Sequence, residues 1–266
     1  MTSTAVVVGS GPNGLAAAVA LAQHGIRVTV LEAADGIGGG TRSGEAIVAG
    51  LLHDHCSAIH PMAVGSAFLN GLDLERHGLQ WRWPEIDCVH PLDDGTAGVL
   101  HRSVQVTADG LGVDGPRWRR FFDWPSTHFN TLADDIMGPL LRWPDHPLAL
   151  ARFGAPTVLP GSVLARAFRT PQGRALFGGV AAHAFRPLHH PMTSAIGVGI
   201  LTAGHHYGWP VAAGGSQSIT RALASVLGEL GGTDRDGHPG AGGIAAAGRR
   251  RNNLRPGAGR GRRHSG

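Results

Sequence analysis

Thr4-Ala5-Val6-Val7-Val8-Gly9-Ser10-Gly11-Pro12-Asn13-Gly14 passes directly into Leu15-Ala16-Ala17-Ala18-Val19-Ala20-Leu21-Ala22-Gln23, and this passage decides the fold. The β-branched run Thr4–Val8 suits a strand buried on both faces. The Ala- and Leu-rich run after it consists of strong helix formers. Gly25 stands where a helix end places a left-handed residue. Between strand and helix, Gly9, Gly11 and Gly14 make a G-x-G-x-x-G. A second run, Arg27-Val28-Thr29-Val30-Leu31, then delivers Glu32. Strand, glycine turn, helix, strand and acid stand in the order and at the spacing of a dinucleotide-binding unit.

Each residue type has a chemical reason. Gly9 permits the tight turn out of the strand. Gly11 has no Cβ, so a pyrophosphate can come close to the backbone, and Gly14 lets the helix pack against the strands. Pro12 and Asn13 open the helix, whose first N–H groups and positive dipole end face the phosphates. Glu32 is placed to accept hydrogen bonds from the adenosine ribose hydroxyls. An acid there disfavours a 2′-phosphate and so argues against NADP.

A second glycine cluster follows at once in Ala33-Ala34-Asp35-Gly36-Ile37-Gly38-Gly39-Gly40-Thr41-Arg42-Ser43. A simple NAD-binding domain has no need of one. The cluster resembles the ExxxxxGG signature of two-domain flavoproteins of the amine oxidase and phytoene desaturase superfamily. In that group the second turn closes over the FAD phosphates, and an Arg often follows it. Here Gly40 occupies the usual Arg position and Arg42 lies two residues on. The resemblance implies FAD as cofactor, with Gly39, Gly40, Thr41 and Arg42 joining Gly9, Gly11, Pro12, Asn13, Gly14 and Glu32 as its binding residues.

The segment Leu52-His53-Asp54-His55-Cys56-Ser57-Ala58-Ile59-His60-Pro61 is similar to the HDxCSAxHP stretch of phytoene dehydrogenase-like FAD oxidoreductases. His90-Pro91-Leu92 with Asp94-Gly95, and Gly208-Trp209-Pro210 with Gly214-Gly215, resemble the same group. The similarity spans roughly residues 4–232. It implies an α/β fold: a Rossmann-like FAD/NAD(P)-binding domain with an inserted, helix-rich substrate domain, incomplete at its carboxyl end.

The residues between divide accordingly. Glu45–His53 alternates and is expected to form strands. Pro61 opens a helix over Met62-Ala63-Val64-Gly65-Ser66-Ala67-Phe68-Leu69-Asn70-Gly71-Leu72. Ile86–His90 and Ala97–His101 read as a hairpin around Asp93-Asp94-Gly95. Helical segments separated by proline follow at 116–123, 126–137, 160–169, 172–184 and 191–203. Ser216 is expected to cap a helix over Gln217–Leu230. The boundaries expected are 1–111 for the first part of the FAD-binding domain, 112–205 for the helix-rich cap, 206–232 for the return, and 233–266 for a disordered tail.

Other clusters carry less. His53, His55, Cys56 and His60 have metal-donor side chains, but their spacing matches no standard zinc pattern, and no metal is expected. His189-His190 and His205-His206 read as polar loop residues. The Trp-Pro pairs at Trp83, Trp124, Trp143 and Trp209 recur irregularly, with each Trp expected to pack and each Pro to end an element. The apolar run Ala195–Ala203 reads foremost as core, with the lining of a hydrophobic substrate cavity as the other role open to it.

Charge is divided by position. The 266 residues carry no Lys, and the formal net charge is +4. Up to Gly231 there are 15 Arg against 17 acids; from Gly232 onward there are 8 Arg against Asp234 and Asp236. The body is thus slightly acidic, and no nucleic-acid partner is expected from it. The tail, with Ile244 and Leu254 as its only large aliphatics, cannot bury enough surface to fold. Codons for Asp234–Gly240 read one base later are compatible with Ile-Glu-Thr-Gly-Thr-Arg-Val, a strand of the kind that contacts adenine in the resembling group. A lost reading frame near Thr233 is therefore expected, with loss of that strand and weak or absent FAD binding.

No apolar stretch approaches the ~20 residues of a membrane span, which leaves peripheral contact as the membrane role open to the chain. No secretory leader opens it, and Cys56 and Cys88 form no disulfide framework, so a cytoplasmic location is expected. The function expected is flavin-dependent hydride removal from an organic, apolar small molecule, weak or absent in a truncated chain. A compact NAD-dependent dehydrogenase is the rival enzyme, and a residual nucleotide-binding fragment with a basic tail the rival without activity. No catalytic acid or base is singled out.

Overall fold

The computed structural model describes residues 3–138, 143–231 and 244–246. Strand β1 (Thr4–Val8), helix α1 (Pro12–Gln23) and strand β2 (Arg27–Glu32) form where the opening passage places them. β1 and β2 run parallel, with Thr4 opposite Arg27 and Val8 opposite Leu31. Gly25, at φ +75°, turns the chain out of α1.

Short pieces follow: strands β3 (Ser43–Gly44) and β4 (His53–Asp54), helices α2 (Pro61–Val64) and α3 (Ala67–Asn70), and strand β5 (Trp81–Arg82). Two sequence expectations fail here. The alternating stretch 45–52 is a loop exposing Ile47, Val48, Leu51 and Leu52, with only the residues flanking it paired as β3–β4. The single helix expected from Pro61 breaks at Gly65. A Cβ at Gly65 would lie 2.4 Å from the ring of Tyr207, and Ser66 restarts the helix by accepting a bond from Leu69 N–H.

The hairpin forms as read, from β6 (Cys88–Pro91) and β7 (Ala97–Leu100), with Pro91 opposite Ala97. Then come α4 (Val104–Gly110), α5 (Gly115–Thr127), α6 (Phe129–Ile136), α7 (Pro147–Gly154), α8 (Gly161–Ala165), α9 (Pro171–Ala181) and α10 (Thr193–Tyr207). Strand β8 (Val211–Ala212), helix α11 (Gln217–Glu229) and strand β9 (Ile244–Ala246) complete the described chain.

Two apolar cores divide these elements. One gathers Leu15, Val19, Val28, Val30, Leu223 and Leu227, from α1, β2 and α11. The other gathers Leu100, Trp118, Phe168, Phe177 and Leu201, from β7, the helices and the α8–α9 connection. The expected boundary at 111/112 therefore needs correcting: Leu100, Ala108 and Leu111 belong to the helical core. The cause is the hairpin β6–β7, which packs on α9, where a Cβ at Gly179 would strike the His90 ring.

Between these helices, buried Asp114 accepts bonds from the Arg169 and Thr170 amides and from the Thr170 hydroxyl, anchoring the start of α9. Helix α10 runs one turn past its expected end, to Gly208 at φ +77°. His205 and His206 are therefore helical, not loop residues. Trp209 is buried, but Trp143 is 83% exposed, and α5 continues two residues past Pro125, so the Trp-Pro pairs share no single role.

The sheet order is β1-β2-β9, all parallel, with Val30 opposite Ile244 and Glu32 opposite Ala246. Residues 244–246 thus correct the expectation of a tail without structure at that one strand, while the expected loss of a strand at 234–240 lies outside the described residues. The free edge of β2 offers unpaired backbone groups, and Ile244-Ala245-Ala246 is an apolar run able to meet them. The rest of 233–266 lies outside the described residues, as does the expected shift of frame. β1 is not buried on both faces: Ala5 and Val7 are half-buried, whereas Val6 and Val8 are 63% and 82% exposed.

A buried histidine yields the first prediction. Trp118 Nε1–H donates to His205 Nε2 at 2.9 Å, and His205 Nδ1 lies 3.0 Å from the Arg102 carbonyl. These partners require the neutral ring with its proton on Nδ1. Burial pushes its pKa from 6.5 down to about 4. The unfolded chain therefore holds the extra proton between those values, and stability falls as pH drops from about 6.5 towards 4. Urea titrations across that window should show a loss on the order of 2–3 kcal/mol, and His205→Gln should remove most of it, leaving the part due to His60 and His90.

Candidate functional site

The amino-terminal turn depends on atoms that are missing. A Cβ at Gly14 would stand 2.1 Å from the Gly9 carbonyl oxygen, so α1 reaches its place only with glycine there. Gly9, at φ +99°, donates its N–H to Leu31 O at 2.7 Å and ties the end of β1 to β2. Gly11 is the residue before α1 and supplies no side-chain cap; Pro12 follows in the first turn. The first N–H groups of α1, on Asn13 and Gly14, are thus left for a partner outside the helix.

Glu32 closes the other side. Its Oε2 accepts the Ser10 N–H at 2.9 Å and the Ser10 hydroxyl, and its Oε1 accepts the Ala34 N–H at 2.9 Å. The Ser10 hydroxyl first, then the two amides, hold its carboxyl down at about 2. The carboxylate therefore orders the first glycine turn, and its remaining lone pairs are what a ribose could reach.

The second glycine cluster folds back onto the first. Gly38 N–H donates to Ser10 O at 3.1 Å, and a Cβ on Gly39 would stand 3.1 Å from Gly11 Cα. Gly38, at φ +123°, is itself hemmed in by Arg42 and Thr220. Thr41 is buried and donates its hydroxyl to Gly38 O at 2.8 Å. Arg42 Nε donates to Gly39 O at 3.1 Å, and Gly40 O accepts the Ser57 N–H. The structure thus brings Gly9, Gly11, Gly14, Glu32, Gly38, Gly39, Thr41 and Arg42 together. Gly40 lies at the outer edge against Cys56, and Asn13 is exposed.

Further residues fix this pair of turns from below. Asp54 Oδ1 accepts the Ser43 hydroxyl at 2.6 Å and the Ser216 N–H at 2.8 Å, while Ser43 Oγ accepts the Gln217 N–H at 3.1 Å. A carboxylate and a hydroxyl from the β3–β4 pair therefore cap α11, whose positive end favours the charge. Ser216 stands where the cap is expected, but its hydroxyl meets His60 Nε2 at 2.7 Å instead. Gly215 makes room for the Ser43 side chain at this cap, because a Cβ there would lie 2.6 Å from Ser43 Oγ.

His53, His55, Cys56 and His60 are thus separately engaged or exposed, and among the described residues no group of three His, Cys, Asp or Glu is arranged to hold a metal ion. Sequence reasoning missed Ser10, Ser43 and Asp54. Only the Ser between two glycines, Gly9-Ser10-Gly11, marked one of them locally; the other two act across 160 residues of chain.

The geometry fits the adenosine diphosphate part of a dinucleotide: two glycine-rich turns pressed together, an uncapped helix start, and an acid at the second strand end. The NAD(P)-binding Rossmann-like domain family matches residues 7–70. No curated protein matches the sequence. Among solved structures, putrescine oxidase bound to putrescine aligns with a TM-score of 0.52 at 22% identity, over 86% of this chain and 49% of that one.

Cyclohexylamine oxidase from Brevibacterium oxydans aligns with a TM-score of 0.52 at 18% identity, over 92% of this chain and 51% of that one. For an oxidoreductase from Methanosarcina mazei the values are 0.52 and 16%, over 91% and 51%. These likenesses establish a shared fold, and the chain spans about half the length of each of these neighbours. Among the described residues, no helix is long and apolar enough to cross a membrane.

Two substitutions test the turn. Gly14→Ala should cost about 3 kcal/mol in chemical unfolding through its clash with Gly9 O, whereas Gly36→Ala, which meets open space, should be neutral. Glu32 contributes in full above its ordinary 4.5, and its contribution is lost as pH falls towards 2. Glu32→Gln should accordingly reduce the pH dependence of stability in that acidic window, leaving the part due to Asp114 and Asp94, and leave the window of His205 unchanged.

Proposed function

We propose that this chain binds FAD through its two glycine turns, as part of an FAD-dependent oxidoreductase of the phytoene dehydrogenase-like group. The observation that carries this reading is the interlock of Gly11 with Gly39 and of Ser10 O with Gly38 N–H. A lone glycine turn serves any dinucleotide. A second one pressed against it, directly after the ribose acid, is the arrangement that the ExxxxxGG resemblance predicts for FAD. The fold shared with two amine oxidases and a further oxidoreductase supports the same class.

The residues divide the binding between them. Asn13 and Gly14 N–H groups would receive the pyrophosphate with the dipole of α1 behind them. Glu32, already ionised and fixed by Ser10, would take the adenosine ribose hydroxyls and repel a 2′-phosphate. Arg42 would add positive charge while its Nε braces the second turn through Gly39 O. FAD, when bound, supplies the acceptor for a hydride from an organic, apolar substrate. Hydride transfer is proposed for the complete fold, in which the helical body forms the substrate side. No residue of this chain is assigned as catalytic acid or base.

Gly11→Ala separates binding from folding. Its Cβ would meet nothing nearer than Gly39 Cα at 3.9 Å, so the fold should persist while phosphate approach is blocked. Calorimetry of the purified chain should show FAD and ADP binding, NADP binding much more weakly, and Gly11→Ala losing at least tenfold, about 1.4 kcal/mol. NADH bound more tightly than FAD would replace this reading with the compact dehydrogenase.

A further inference from the structure

The helical body holds a cavity of about 440 Å³ that no residue of the glycine turns lines. That volume lies within the range of small-molecule sites. Its apolar wall is made by Phe121 of α5, Phe153 of α7 and Val198 of α10, of which Phe153 and Val198 are buried in the helical core. Val198 belongs to the run Ala195–Ala203, so that run serves the core and also shows one side chain to this cavity.

The rest of the lining is of opposite character. Arg120 of α5 and Arg152 of α7 are exposed and line the same cavity. The Arg152 guanidinium lies 4.0 Å from the centre of the Trp124 ring, and the other partner of that ring is His128, stacked at 4.9 Å. Stacking on Trp124 holds the cation in place without neutralising it. Among the described residues, neither Arg120 nor Arg152 forms an ion pair or hydrogen bond. Both cations border one apolar hollow, so an anion entering it would be attracted by both.

We propose that this cavity is a binding site for an amphipathic carboxylate, with the carboxylate held by Arg120 and Arg152 and the apolar body laid against Phe121, Phe153 and Val198. A planar guanidinium matches a carboxylate through paired, charge-assisted hydrogen bonds. The apolar wall adds the hydrophobic part of the affinity. The wall also disfavours a small hydrophilic anion such as phosphate, which would leave it in contact with water. This site is independent of the dinucleotide reading.

Calorimetry of the full chain tests it with four probes: decanoate, decanol, decyltrimethylammonium and inorganic phosphate. Decanoate should bind saturably, decanol at least tenfold more weakly, and the other two not at all. Arg120→Gln and Arg152→Gln, both on exposed side chains, should each weaken decanoate about fivefold or more, and the double variant should abolish its binding while the thermal midpoint holds. As a check independent of arginine variants, 10-bromodecanoate should quench tryptophan emission of the wild-type chain, and Trp124→Phe should remove that quenching. Decanoate that fails to bind, binds the double variant equally, or is matched by phosphate would overturn the site. So would quenching that survives Trp124→Phe.

Discussion

One contact distance governs the amino-terminal half of this protein: the 2.1 Å that a Cβ on Gly14 would leave to the Gly9 carbonyl oxygen. Because that atom is absent, α1 starts against the end of β1, and its first amides open beside the second strand. Everything at the site follows from that placement. Ser10 comes within reach of Glu32, and the charge on Glu32 then fixes the turn through charge-assisted bonds, which are about twice as strong as neutral ones. The low pKa of that carboxyl is the electrostatic signature of the same latch.

The second glycine turn inherits its position from the first. Gly38 bonds to Ser10, and Gly39 comes so near Gly11 that a Cβ on Gly39 would stand 3.1 Å from Gly11 Cα. Beneath them the β3–β4 pair and α11 are joined by Asp54, Ser43 and Ser216, so the turn is braced by residues far apart in sequence. The helical body stands on its own core, organised by α10 against α5, α8 and α9. The paired glycine turns and the helical body thus rest on two different apolar cores.

Local chemistry was readable in advance, and long-range chemistry was not. The strand–turn–helix–strand–acid unit could be placed to the residue because each member answers a local backbone demand. The hairpin β6–β7 and helix α11 were legible for the same reason. The break at Gly65 was not, because the glycine there answers the ring of Tyr207, over 140 residues away. The buried role of His205 depends on Trp118, and the cap on α11 comes from Asp54 and Ser43. Strand β9 is a similar case: an open sheet edge pairs with a short apolar run that its own surroundings would leave unstructured. The exposure of Val6 and Val8 also departs from the strand pattern, since a β-branched run records compatibility with burial and not burial itself.

Hydrogen–deuterium exchange of the purified chain with and without ADP addresses the cradle most directly, because it reads individual backbone amides and not overall affinity. Protection should appear together at residues 9–14 and 38–42, with the helical body unchanged. Protection confined to the first turn, or absent from both, would contradict a site built from two interlocked glycine turns.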